Sequence, residues 1–194
     1  MKTKFVLIIL TVLFVISAFM DAEAKYTTKQ MSVMQAARSI GDLFGFEETI
    51  QAIVLQESSA GEALVGDGGA SWGVAHVSVP AAIDAIQACI TKYYNICGYI
   101  QPYDGNPDSL GIRLATQADY NIVLAAAYFK LQYDRYKSTG KDCAWSRALI
   151  DYNAGPGTSK NLSCQEIQGR QYRKNIWNRL NNIRKFNSLH RVWI

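Results

Sequence analysis

The sequence predicts an all-α, single-domain fold with at most a short β excursion around residues 61–78. Three observations carry that expectation. Apolar residues recur at helical spacing in segment after segment. Capping boxes stand at Thr27-x-x-Gln30 and Ser163-x-x-Glu166, marking helix starts. Sustained strand alternation, internal repeats and linkers are absent from residue 25 onward, a length that supplies one core and not two.

In chain order, the capped first helix runs to about Leu43, where Gly45 interrupts. A second spans about Glu47 to Ser58, with Ile50, Ile53 and Val54 on one stripe. Gly61 to Gly73 has no helical period and reads as loop. Pro80 suits the first turn of a helix over about 80–95. Residues 98–115, with Pro102, Gly105, Pro107 and Gly111, read as a long loop. Asp119 to Tyr136 is a strong helix with a buried middle, Ile122 to Ala127, and Trp145 to Asn153 is another, stopped by Gly155-Pro156-Gly157. Ser163 opens a last helix, about 164–187.

Residues 1–24 differ in kind. Lys2 and Lys4 precede an uncharged apolar run from Phe5 to Met20, and Ala22-Glu23-Ala24 is a small-x-small cleavage signature. This predicts a signal peptide cut before Lys25, giving an exported, periplasmic or extracellular domain over 25–194; an uncleaved membrane anchor is the alternative. Four cysteines, Cys89, Cys97, Cys143 and Cys164, agree with an oxidising compartment. Of the three possible pairings the local closures Cys89–Cys97 and Cys143–Cys164 are favoured. The spacings fit no zinc pattern, even with His76 and His190, so no metal site is expected.

The formal charge of +4 is uneven: from Lys160 onward there are eight Lys or Arg against the single acid Glu166. Such a face either attracts an anionic envelope surface or is simply solvated. Nucleic acid is not expected outside the cytoplasm, and a monomer is expected.

Glu57 carries the chemical argument. It lies on the apolar stripe of its helix, three residues after Val54 and seven after Ile50. Burying a charged carboxylate there is costly, and the nearby helix C-terminus also disfavours negative charge. Both favour a carboxylic acid that can protonate a leaving-group oxygen. A glycine-rich stretch follows with Ser71 and His76 as hydrogen-bonding groups and Trp72 as an apolar plate or, alternatively, a core plug. Later, Tyr152-Asn153 ends a helix before the Gly-Pro-Gly break.

Taken in order, Glu57-Ser58, Gly69-Ala70-Ser71-Trp72-Gly73-Val74-Ala75-His76, Asn121 and Tyr152-Asn153-Ala154-Gly155-Pro156-Gly157 resemble the SLT-type lytic transglycosylases, whose fold is similar to goose-type lysozyme. The similarity spans about residues 47–180. It implies that Glu57 is a lone catalytic acid/base and that Ser71, Trp72, His76, Tyr152, Asn153 and Tyr172 surround the substrate. The Tyr172 assignment comes from Gly169-Arg170-Gln171-Tyr172, which is similar to a Thr-Arg-x-Tyr segment of the family. It further implies a peptidoglycan glycan strand as substrate, a 1,6-anhydro product and no cofactor. Here Ala75 stands at the family's Met and His76 at its Gln. Two other readings compete: a goose-type muramidase, in which a carboxylate such as Asp67 positions water, and a non-catalytic wall-binding protein.

Overall fold

The structure, a computed structural model, describes residues 26–190; the predicted signal segment 1–24 and Arg191 lie outside the described residues. Helix α1, Thr28–Leu43, starts at the predicted capping box: the Thr27 hydroxyl accepts from the Gln30 amide at 3.2 Å and the Gln30 side chain accepts from the Thr27 amide at 2.8 Å. Helix α2, Glu47–Ser58, carries Glu47 and Glu48 in its first turn, where the dipole favours acids. It ends when Ser59 turns left-handed at φ 52°.

The predicted β excursion is three two-residue strands: β1 Val65–Gly66, β2 Ser71–Trp72 and β3 Val77–Ser78, antiparallel in that order. Gly66 faces Ser71, and Ser71 faces Ser78. A 3-10 turn, Asp67–Gly69, joins the first two strands.

Helix α3, Val79–Thr91, has Ser78 as N-cap and Pro80 in its first turn. It is shorter than the predicted span of 80–95, because the chain re-forms a separate turn, α4 Tyr94–Cys97. The long loop expected at 98–115 is a correction: Pro107–Thr116 forms α5. Proline is favoured at a helix start, where its missing N–H costs nothing, and the Asn106 side chain caps the amides of Asp108 and Ser109. Helix α6, Ala118–Ser138, and α7, Ala144–Ala154, follow the expected spans to within two residues. The last predicted helix is two. Arg170 is extended at ψ 134° and separates α8, Cys164–Gly169, from α9, Gln171–His190.

The centre of the fold is α6, whose residues Ile122 to Phe129 are all buried. A helix hydrophobic all round must be surrounded, and α1, α2, α3, α5 and α7 pack against it. Helix α9 lies along α2 through Ile176, Leu180 and Ile183, all buried and spaced to form one stripe. Each such side chain contributes about 1.5–3 kcal/mol of burial. Among the described residues no helix is long and apolar enough to cross a membrane.

Both favoured disulfides are present. Cys89–Cys97 ties the end of α3 to α4, and Cys143–Cys164 ties the start of α7 to the start of α8. The second closes a 21-residue separation, for which loop-closure entropy predicts about 3 kcal/mol. Paired Cys143→Ser and Cys164→Ser substitutions are therefore expected to lower unfolding stability by about 2–4 kcal/mol in urea titrations monitored by circular dichroism.

Candidate active site

The site is built on the backbone of residues 72–76, which three helices hold through side chains. From α6, buried Asn121 accepts from the Ala75 amide and donates to the Trp72 carbonyl, both at 2.8 Å. At the end of α2 the Ser58 hydroxyl donates to the Val74 carbonyl at 2.6 Å and accepts from the Gly61 amide at 2.7 Å. From α7 the Tyr152 hydroxyl donates to the Ala75 carbonyl at 2.7 Å. Buried backbone groups need partners, and here side chains supply what a sheet or helix would. Gly73 is required by the same packing: it sits at φ 79°, and a Cβ there would collide with the Leu114 carbonyl oxygen and the Asn121 amide.

This strip places His76 beside Glu57. Glu57 ends α2 with its side chain 16% exposed, and the His76 ring is 11% exposed. The Glu57 Oε1 accepts from the Tyr172 hydroxyl at 2.5 Å, and Oε2 lies 3.5 Å from His76 Nδ1. The surroundings are thus not the purely apolar stripe that the helix pattern implies, because the chain's later segments deliver polar groups to both carboxyl oxygens. The other ring nitrogen, Nε2, lies 2.9 Å from the Ala63 carbonyl. His76 itself adopts φ 45°, a left-handed conformation uncommon for a side chain of its size.

The electrostatics follow. The hydrogen bond to Glu57 raises the His76 pKa above its ordinary value; burial opposes this, while the Ala63 carbonyl and the charges of Glu57 and Asp67 add to it. Tyr172 and Tyr152 are held well above the usual phenol range, first by burial and then by the Glu57 charge. Both stay neutral O–H donors.

Ser71, His76, Tyr152 and Asn153 meet along a groove of about 230 Å³, which Asp67, Asp84 and Pro156 also line. Ser71 donates to Asp67 at 3.2 Å. Glu57 and Tyr172 do not line this groove; they lie next to it, Glu57 beside the lining residue His76 and Tyr172 bonded to Glu57 from α9. Trp72 is not among the groove-lining residues. Neighbours on a strand point to opposite faces, so while Ser71 faces the groove, the Trp72 indole points towards α5 at Gly111. Trp72 is partly buried and packs against the core.

Ser58, Asn121 and Asp151 have structural roles that sequence reasoning did not assign. Asp151 is fully buried and accepts from the Tyr136 hydroxyl and from the amides of Gly157 and Ser159, shaping the Gly-Pro-Gly turn beside Asn153. An acid inside a helix's apolar stretch, as Asp151 follows Ala148-Leu149-Ile150, is the signal that marks such a node. The basic C-terminal segment is partly engaged inward: Arg184 pairs with Glu48 at 2.7 Å and Arg179 donates to Gln56 at 2.9 Å. Comparison with family models, with characterised proteins and with solved structures gives no match.

Asn121→Ala leaves the Ala75 amide and the Trp72 carbonyl without partners and is expected to cost about 2–4 kcal/mol in chemical denaturation. A second outcome concerns pH. The folded protein binds the His76 proton more tightly than the unfolded chain, so that contribution to stability is fully present below the unfolded value, roughly pH 6.5. It is lost as pH rises through the higher folded value. Thermal melts are expected to show a smaller fall in Tm across neutral pH for His76→Gln than for wild type.

Proposed function

We propose that this chain is an exported lytic transglycosylase, an enzyme cleaving the β-1,4 bond between N-acetylmuramic acid and N-acetylglucosamine in peptidoglycan. One observation carries the reading: Glu57, the residue singled out by the ordered motifs, has its carboxyl between Tyr172 and His76, and His76 in turn lines the groove with Ser71, Tyr152 and Asn153. The disulfides support export, since such bridges persist in oxidising compartments.

In this reading protonated Glu57 gives its proton to the glycosidic oxygen as the bond to muramic C1 breaks. The substrate's acetamido group supports the cationic centre. Glu57, now a carboxylate, takes the proton of the muramic 6-hydroxyl as that oxygen bonds to C1, which closes the 1,6-anhydro ring. The Tyr172 hydroxyl fixes the carboxyl's orientation, and positioning of this kind is a large part of catalysis. Exposed Arg170, together with Lys174 and Lys185 of α9, would hold the enzyme near the anionic envelope.

A second reading has its own support. Asp67 lines the same groove, held by Ser71, and could position a water for hydrolysis in the manner of a goose-type muramidase. Mass spectrometry of digested peptidoglycan separates the two: the transglycosylase releases fragments one water lighter than the hydrolase does. Glu57→Gln is expected to lower the digestion rate about a hundredfold or more. Digestion by this variant as fast as by wild type would remove Glu57 from the reaction, and inactivity of both would favour a wall-binding protein.

A further inference from the structure

We propose that Glu57 and His76 share one proton across the Oε2 to Nδ1 gap, so that the acid/base unit is the pair and His76 is its positioning residue. The proposal rests on the reaction assigned to Glu57 and adds to it.

Donor and acceptor logic leads there. The Ala63 carbonyl can only accept, so His76 Nε2, 2.9 Å away, carries a hydrogen. In the neutral ring Nδ1 is then a bare acceptor, and it faces Glu57 Oε2 at 3.5 Å. That distance is the outer edge of direct hydrogen bonding and well inside the range of charge coupling. The other carboxyl oxygen is already occupied by the Tyr172 hydroxyl. One mobile proton therefore sits between Oε2 and Nδ1, as carboxylic acid with neutral imidazole or as carboxylate with imidazolium.

The local backbone holds the ring in place. His76 takes the left-handed φ of 45°, and β1 packs so closely that a Cβ on Gly66 would lie 2.5 Å from Nδ1. The titratable groups around the ring are Glu57 from α2, Asp67 from the 3-10 turn and Tyr152 from α7, with Asp84 of α3 on the same groove. Tyr172 of α9 acts through Glu57. The hydrogen bond and charge of Glu57, with the charge of Asp67, hold the His76 pKa above its ordinary value against burial.

The proton balance closes over one turnover. The glycosidic oxygen takes the shared proton as its bond to C1 breaks, leaving carboxylate and neutral imidazole. The 6-hydroxyl proton returns to the pair as its oxygen bonds to C1.

Two measurements test this. Imidazole nitrogen chemical shifts of wild type and Glu57→Gln, followed from about pH 4 to about pH 9, report tautomer and titration without any need for activity. The expected result is a neutral His76 with its hydrogen on Nε2 and a midpoint that falls in Glu57→Gln. A neutral ring with its hydrogen on Nδ1, or an unmoved midpoint, overturns the proposal. The second measurement is kcat/KM on purified peptidoglycan for wild type and His76→Gln. The loss is expected to be about tenfold or more above neutral pH and about twofold or less near pH 5, so that the alkaline limb moves to lower pH. An equal loss at every pH would make His76 merely structural. Wild-type protein that releases no fragments at any pH overturns the reaction assigned to Glu57, and the nitrogen shifts then decide the pairing on their own.

Discussion

The clamp on residues 72–76 is the constraint on which the site depends. Asn121, Ser58 and Tyr152 reach one short strip from α6, α2 and α7, and each satisfies a backbone group that would otherwise be buried unpaired. An unsatisfied buried polar group costs about 1–3 kcal/mol, so the strip has few alternative arrangements. Three helices are thereby indexed to one backbone, and the positions of Ser71 and His76 at its ends follow. The groove is the space left when those helices are fixed in this way.

Around that strip the fold divides its work between apolar and polar packing. The all-buried centre of α6 sets where the helices go. The polar nodes set what the loops between them do: Asp151 gathers a phenol and two amides so that the chain turns sharply after Asn153. Arg147, one turn earlier on α7, gives its guanidinium to the carbonyls of Asp142, Ser159 and Leu162. Buried polar networks of this kind are costly when incomplete and specific when complete, and here they lie directly behind the wall that Tyr152 and Asn153 form.

Much of this is legible in the sequence, for identifiable reasons. Capping boxes and apolar stripes are local signals, and they locate α1, α2, α6 and α7 closely. The cysteines of each observed pair are near one another along the chain, and short loops close at the least entropic cost, so spacing alone favours the local closures. Helix α5 is not legible as a helix because Pro107 and Gly111 are loop residues by composition; only Asn106 before Pro107 marks a helix start. The break at Arg170 is signalled only by Gly169 before it, a single glycine inside an otherwise helical pattern. The order of Glu57, Ser71, His76, Tyr152 and Asn153 suggests a groove, but the meeting of Tyr172 with Glu57 spans 115 positions and no local spacing encodes it. Trp72 turns away from the groove because strand pleating, not residue type, decides its side.

The extended residue Arg170 has a mechanical consequence. Had the chain continued as one helix from Cys164 to His190, the covalent tether at its start and the phenol of Tyr172 would sit on a single rigid axis, and any strain at the bridge would swing the hydroxyl like the end of a lever. The one-residue joint decouples them. Helix α8 answers to its anchor on α7, while α9 packs along α2 and against Trp145 of α7 through Trp177, and these contacts set where Tyr172 meets Glu57.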